Sequence, residues 1–149
     1  MKALILTAAA LLTAASSQAA VISETFSLSA TATIPDGNLS GLVQSITPAT
    51  TITSLDAITV TLETTGGWNG DLYAYLWHDG EISILLNRTG RTTGTPAGSA
   101  TSSMTLTFDD VAPAEIHSAP GSFSSALSGT FQPSGRNIHP LTALDTTPR

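Results

Sequence analysis

Cysteine is absent from this 149-residue chain, so no disulfide can hold it together, and stability must come from an apolar core or a bound ion. Charge is scarce: 11% of residues are charged, with five Lys plus Arg against eleven Asp plus Glu, a formal net charge of −6. Five scattered cations make no basic footprint for nucleic acid, and so low a density of like charge argues against a disordered acidic tail. Long apolar runs are missing as well, apart from Ala3 to Ala15 near the start. That run is too short to span a bilayer, which takes about 20 apolar residues. No membrane span is expected.

The run reads better as part of a leader. Met1-Lys2 is a short basic start, Ala3 to Ala15 an Ala- and Leu-rich core, and Ser16-Ser17-Gln18-Ala19-Ala20 supplies the small residues that a signal peptidase reads. Residues 1–19 are expected to be a signal peptide, with the cut after Ala19 or Ala20, and the product to be secreted or held at the cell surface. Residues 20–149 then form one domain, large enough for a core of its own.

What is present in quantity is Thr, Ser, Gly, Val, Ile and Leu. Thr, Val and Ile suit the pleated sheet. Phe26, Leu28, Ala30, Ala32 and Ile34 alternate with Ser and Thr, a period of two that predicts a half-buried strand ending at the turn Pro35-Asp36-Gly37-Asn38. Leu42 to Ile46 suggests a short strand. Ala57 to Glu63 alternates again, with Ile58, Val60 and Leu62 on one face. Asp71 to Trp77 is apolar or aromatic on both faces, which predicts a central, doubly covered strand. His78-Asp79-Gly80 turns it into a partner strand from Glu81 to Leu86. Asn87 to Ser103 reads as a polar loop, and Met104, Leu106 and Phe108 as a further strand. From Ala112 to Gly135 the pattern is loop-like, with Phe123, Leu127 and Phe131 as packing points. No helix is expected. Short strands between turn clusters predict an all-β fold, a sandwich or barrel.

In order along the chain stand Ile34-Pro35-Asp36, Ile58-Thr59-Val60-Thr61-Leu62, Gly70-Asp71-Leu72-Tyr73-Ala74-Tyr75-Leu76, His78-Asp79-Gly80, Leu85-Leu86-Asn87-Arg88, Thr107-Phe108-Asp109-Asp110, and Phe131-Gln132-Pro133-Ser134-Gly135 leading to Pro140-Leu141. Through these residues the stretch from Ile34 to Leu144 resembles the P domain, or Homo B domain, of proprotein convertases. The resemblance implies a jelly-roll-like antiparallel β-sandwich whose last strands are missing here, since the family continues with a Gly-x-Trp strand and a final Trp-bearing strand. It also implies a module that stabilises a subtilisin-like serine endopeptidase. Here the leader stands almost directly before the domain, where the family has its protease. A leader followed by a lone domain of this kind is also similar to bacterial exported proteins that end in a Pro-Glu-Pro sorting tail.

Catalysis is not expected from this chain. There is no Gly-x-Ser-x-Gly elbow, and His78, His117 and His139 fall in turn or loop contexts at spacings that match no zinc motif. Calcium is the sharper candidate. Asp71 opens one strand and Asp109-Asp110 close another, and three carboxylates brought together would need a cation. The alternative is that Asp71 caps a turn. Trp68, Tyr73, Tyr75 and Trp77 cluster near the Gly-rich turn. Exposed, they would stack on sugar rings, with Trp68 and Trp77 as candidate ligand contacts, but the favoured expectation is that Tyr73, Tyr75 and Trp77, on one face of their strand, pack in the core. Asn38-Leu39-Ser40 and Asn87-Arg88-Thr89 match the N-glycosylation pattern. The expected function is an exported, non-catalytic binding or stabilising module with an unidentified protein or polysaccharide partner. The alternatives are part of a secreted serine endopeptidase, or a cell-surface adhesive or polysaccharide-binding protein.

Overall fold

The computed structural model describes residues 21–28, 31–38, 40–117 and 126–149. The expected signal peptide and Phe123 lie outside the described residues. The chain divides into two units, Met1–Leu55 and Asp56–Arg149.

In the first unit the described residues carry no ladder. The strands expected at 26–34 and 42–46 do not form among them, and Phe26, Leu28, Ile34, Leu42 and Ile46 are exposed. Alternation supplies a face, but a strand exists only through hydrogen bonds to a neighbouring strand. The turn after Ile34 does form. Gly37 takes a positive φ of 63°, the Asn38 side chain accepts from the Ser40 N–H at 2.9 Å, and the Asn38 carbonyl accepts from the Gly41 N–H at 3.0 Å.

Among the described residues the second unit holds five strands: β1 (Val60–Thr64), β2 (Tyr73–His78), β3 (Glu81–Asn87), β4 (Met104–Phe108) and β5 (Leu127–Phe131), with a 3₁₀ turn, Asn69–Asp71, ahead of β2. They form a three-stranded sheet in the order β1-β4-β5 and a two-stranded sheet β2-β3. β1 and β4 are antiparallel, Val60 opposite Phe108 and Leu62 opposite Leu106. β5 runs parallel to β4, Met104 opposite Leu127 and Phe108 opposite Phe131. The described residues are therefore β-rich, with one mixed and one antiparallel sheet.

β4 shows how sequence dictates placement. Met104, Leu106 and Phe108 are buried, and Thr105 and Thr107 lie between them on the other face. Leu85, Leu86, Met104, Leu106, Phe108, Ile116 and Leu127 form one cluster, against which Leu62, Ala74 and Leu76 pack. Side chains of both sheets thus share a core, each buried Leu or Phe contributing about 1.5–3 kcal/mol. β5 departs from the expected loop. Leu-Ser-Gly-Thr-Phe has little alternation, and Gly129 at φ 137° interrupts it, so only its partner β4 makes it a strand.

Two local devices shape the β2–β3 hairpin. At its tip, Asp79 (φ 48°) and Gly80 (φ 88°) form a two-residue turn with positive φ at both positions, matching the right-handed twist of the strands. One residue of β3, Leu85, has no opposite number on β2: Ala74 pairs with Leu86 and Tyr75 with Ile84. This bulge lets Ile84, Leu85, Leu86 and Asn87 all be buried in succession, which strict alternation forbids.

Candidate functional site

The site is built on the hairpin. Its open end is closed by the residues that flank it. Arg88, held at φ 54°, donates its backbone N–H to the Leu72 carbonyl (2.9 Å), its Nε to the Gly70 carbonyl (2.9 Å) and its terminal nitrogen to Asp71 Oδ1 (3.1 Å). Gly70 is pressed onto a second loop. A Cβ there would stand 2.5 Å from both the Ala97 carbonyl oxygen and the Ser99 nitrogen, so no other residue fits. Asn69 completes the joint, donating from its amide to Thr101 Oγ1 (2.8 Å) and to the Ser103 carbonyl (2.9 Å).

From this base β2 projects two faces. Ala74 and Leu76 turn toward the core, and Tyr73, Tyr75 and Trp77 turn away from it. The expectation that these three pack in the core is overturned: they are 37%, 50% and 65% exposed, and Ile82, opposite Trp77, is 45% exposed. β2 has one neighbour, β3, and among the described residues no second layer lies over the aromatic face. The Tyr73 and Tyr75 rings stand 6.0 Å apart at 52°. Partial burial, and secondarily the neighbouring Tyr75, raise the Tyr73 phenol above its ordinary 10.0. Trp68, at the start of the 3₁₀ turn, is 58% exposed. All Trp and Tyr of the chain, two of each, therefore lie in the ten-residue stretch from Trp68 to Trp77, and all are solvent-accessible.

The residues singled out for calcium have other partners. Asp71 pairs with Arg88, and Asp109 Oδ1 accepts from the Val111 N–H at 3.0 Å, a turn-capping contact. Asp110 is exposed beside it. Asp71 precedes a strand of one sheet and Asp109 follows a strand of the other. Among the described residues no three His, Cys, Asp or Glu side chains are grouped as metal ligands.

The histidines are dispersed. His78 is exposed at the hairpin tip, opposite Glu81, and His139 accepts at Nδ1 from the Leu141 N–H (3.2 Å). His117 is 3% exposed rather than at the surface, its Nε2 donating to the Arg91 carbonyl at 2.9 Å. Beside it lies a polar cluster that the sequence did not disclose. Arg136 holds Glu115 with two nitrogens, at 2.9 and 3.1 Å, and also donates to the Ser134, Leu144 and Asp145 carbonyls. Arg91 reaches the Pro96, Pro140 and Ala143 carbonyls, and Arg149 the Pro133 carbonyl. With Arg88 on Gly70, every arginine of the chain serves backbone carbonyls. Their wide separation in sequence hides this role. Asn87 is fully buried, its amide spent on the Arg136 and Ile138 carbonyls, so of the two glycosylation patterns only Asn38 stands at the surface.

No family model, no curated protein and no solved structure matches this chain. No helix of the described residues is long and apolar enough to cross a membrane.

Proposed function

We propose that this chain is an exported, non-catalytic module, a β-sandwich of the P-domain (Homo B) kind, and that it works by binding through the exposed aromatic face of the β2–β3 hairpin. The observation that carries the reading is the gathering of every Trp and Tyr into residues 68–77, all of them exposed while aliphatics and Phe108 fill the core. Aromatic rings are costly to leave in water, and a concentrated exposed set marks a contact surface. The P-like reading draws support from the hairpin itself. The most specific part of the resemblance, Gly70-Asp71-Leu72, the Gly80 turn and Leu85-Leu86-Asn87-Arg88, spans this hairpin, and Arg88 ties back to Gly70 and Asp71 at its open end. Two sheets sharing one core suit a sandwich, while the parallel β4–β5 pair departs from the all-antiparallel jelly roll that the resemblance implies.

The test is expression of the whole chain in a secreting host. The product should leave the cell starting at Ala20 or Val21, show a β-type circular dichroism spectrum, leave peptide substrates uncut, and have tryptophan emission readily quenched by acrylamide. Uncleaved protein retained in the cell, or tryptophans shielded from the quencher, would overturn the reading.

A further inference from the structure

We infer that the aromatic face binds a neutral, linear polysaccharide, laid along β2 across Tyr73, Tyr75 and Trp77; this rests on the binding role proposed above. Three features select that ligand. The first is length. Side chains at i, i+2 and i+4 of a strand rising about 3.3 Å per residue form a row about 13 Å long, a track for an extended chain rather than a pocket for one ring. The neighbouring Tyr73 and Tyr75 rings, 6.0 Å apart, already form its first two places.

The second is area. At their observed exposures the three rings and Ile82 offer roughly 400 Å² of apolar surface, well short of the roughly 800 Å² per side that a stable protein partner covers. A narrow polymer needs no more than this strip. The third is chemistry at the strip's margins. β2 has no neighbour on the side away from β3 among the described residues, so unpaired backbone N–H and C=O groups run beside the rings. A sugar chain presents C–H faces to aromatic rings and hydroxyls to such an edge, and so satisfies both. The row itself carries no charge, and Asp79 and Glu81 stand at its hairpin end, while Asp71 at the other end is neutralised by Arg88; in a chain of net charge −6 this disfavours an anionic polymer.

The test is electrophoresis of the mature chain, residues 20–149, through gels containing a soluble cellulose derivative, a mannan, a xylan or, as the anionic control, alginate. Retardation is expected in at least one neutral gel. Tyr75→Ala and Trp77→Ala should each weaken it by about tenfold, the scale of losing one well-placed aromatic contact. Val111→Ser, an exposed position after β4 and off the hairpin, should leave it unchanged, and circular dichroism establishes that each variant is folded. In the Trp68→Phe background, acrylamide quenching reports on Trp77 alone. Free quenching without retardation in any neutral gel overturns the polysaccharide and spares the binding face. Retardation in alginate alone overturns the neutral ligand. A shielded Trp77 in a dimer by sedimentation makes the face a contact between copies, and both readings fall.

Discussion

Single residues set the joints of this fold, and they differ in what a substitution would cost. At Gly80 φ is 88° and an added Cβ meets open space, so Gly80→Ala carries only the penalty of a left-handed backbone, about 1 kcal/mol. At Gly70 the added Cβ would collide with the backbone of Ala97, Gly98 and Ser99, which no rotamer change relieves. Gly70→Ala should therefore destabilise by about 3 kcal/mol or more, and thermal melts should rank it well below Gly80→Ala. The Glu115–Arg136 pair is a second such joint. Their side chains are 13% and 5% exposed, so Glu115→Gln removes the countercharge and one of the two acceptor oxygens facing a buried guanidinium. The expected cost is about 3–5 kcal/mol, visible as a large drop in Tm. Arg136→Lys should not restore stability, because an ammonium cannot grip both carboxylate oxygens and three carbonyls together.

At the scale of the element, the β2–β3 hairpin is organised by a difference between its two faces. Ala74 and Leu76 tie it to the core, and the tyrosines and Trp77 are left in partial contact with water. Burial is the larger cause of the raised Tyr73 phenol and the Tyr75 phenolate the smaller. In an ultraviolet titration of the phenols, Tyr75→Phe should lower the Tyr73 midpoint without returning it to 10.0. The shift also links stability to pH. A phenol raised in the folded state favours folding fully below pH 10.0, and that contribution is lost as pH rises through the folded value. Equal midpoints for Tyr73 in the parent and in Tyr75→Phe would mean that the two rings do not interact.

For the molecule as a whole, the question is how a chain without cysteine stays folded. The three-residue calcium cluster expected from Asp71, Asp109 and Asp110 competes with the protein's own partners, Arg88 for Asp71 and the Val111 N–H for Asp109. The melting temperature of residues 20–149 should then coincide in chelator and in calcium at a roughly millimolar level. A calcium-dependent rise would require those carboxylates to come together. In place of a disulfide, the segment from Arg136 to Arg149 is held by side chains reading its carbonyls, from Arg91 and from Arg136 itself, and by Arg149 anchored on Gln132 and Pro133. Arg91→Ala should loosen this segment first. Hydrogen exchange would show faster exchange at the Asp145 N–H, which the Arg91 carbonyl accepts, than at the amides of β4.

Period-two alternation with β-branched residues was enough to determine that the protein is β-rich, to place β4 to the residue, to locate β1 within three residues, and to draw the β2–β3 hairpin around Asp79-Gly80. Those are local properties, carried by side chains a few positions apart. The same alternation at Phe26 to Ile34 yielded no strand among the described residues, while the unpromising Leu127–Phe131 became β5, because pairing depends on a partner elsewhere in the chain. Tertiary structure alone decided which face of β2 meets the core, since both faces are apolar in sequence. It turned a candidate core stripe into an exposed aromatic row. It likewise brought Arg91, Arg136 and Glu115 together from distant positions, an arrangement that no spacing along the chain encodes.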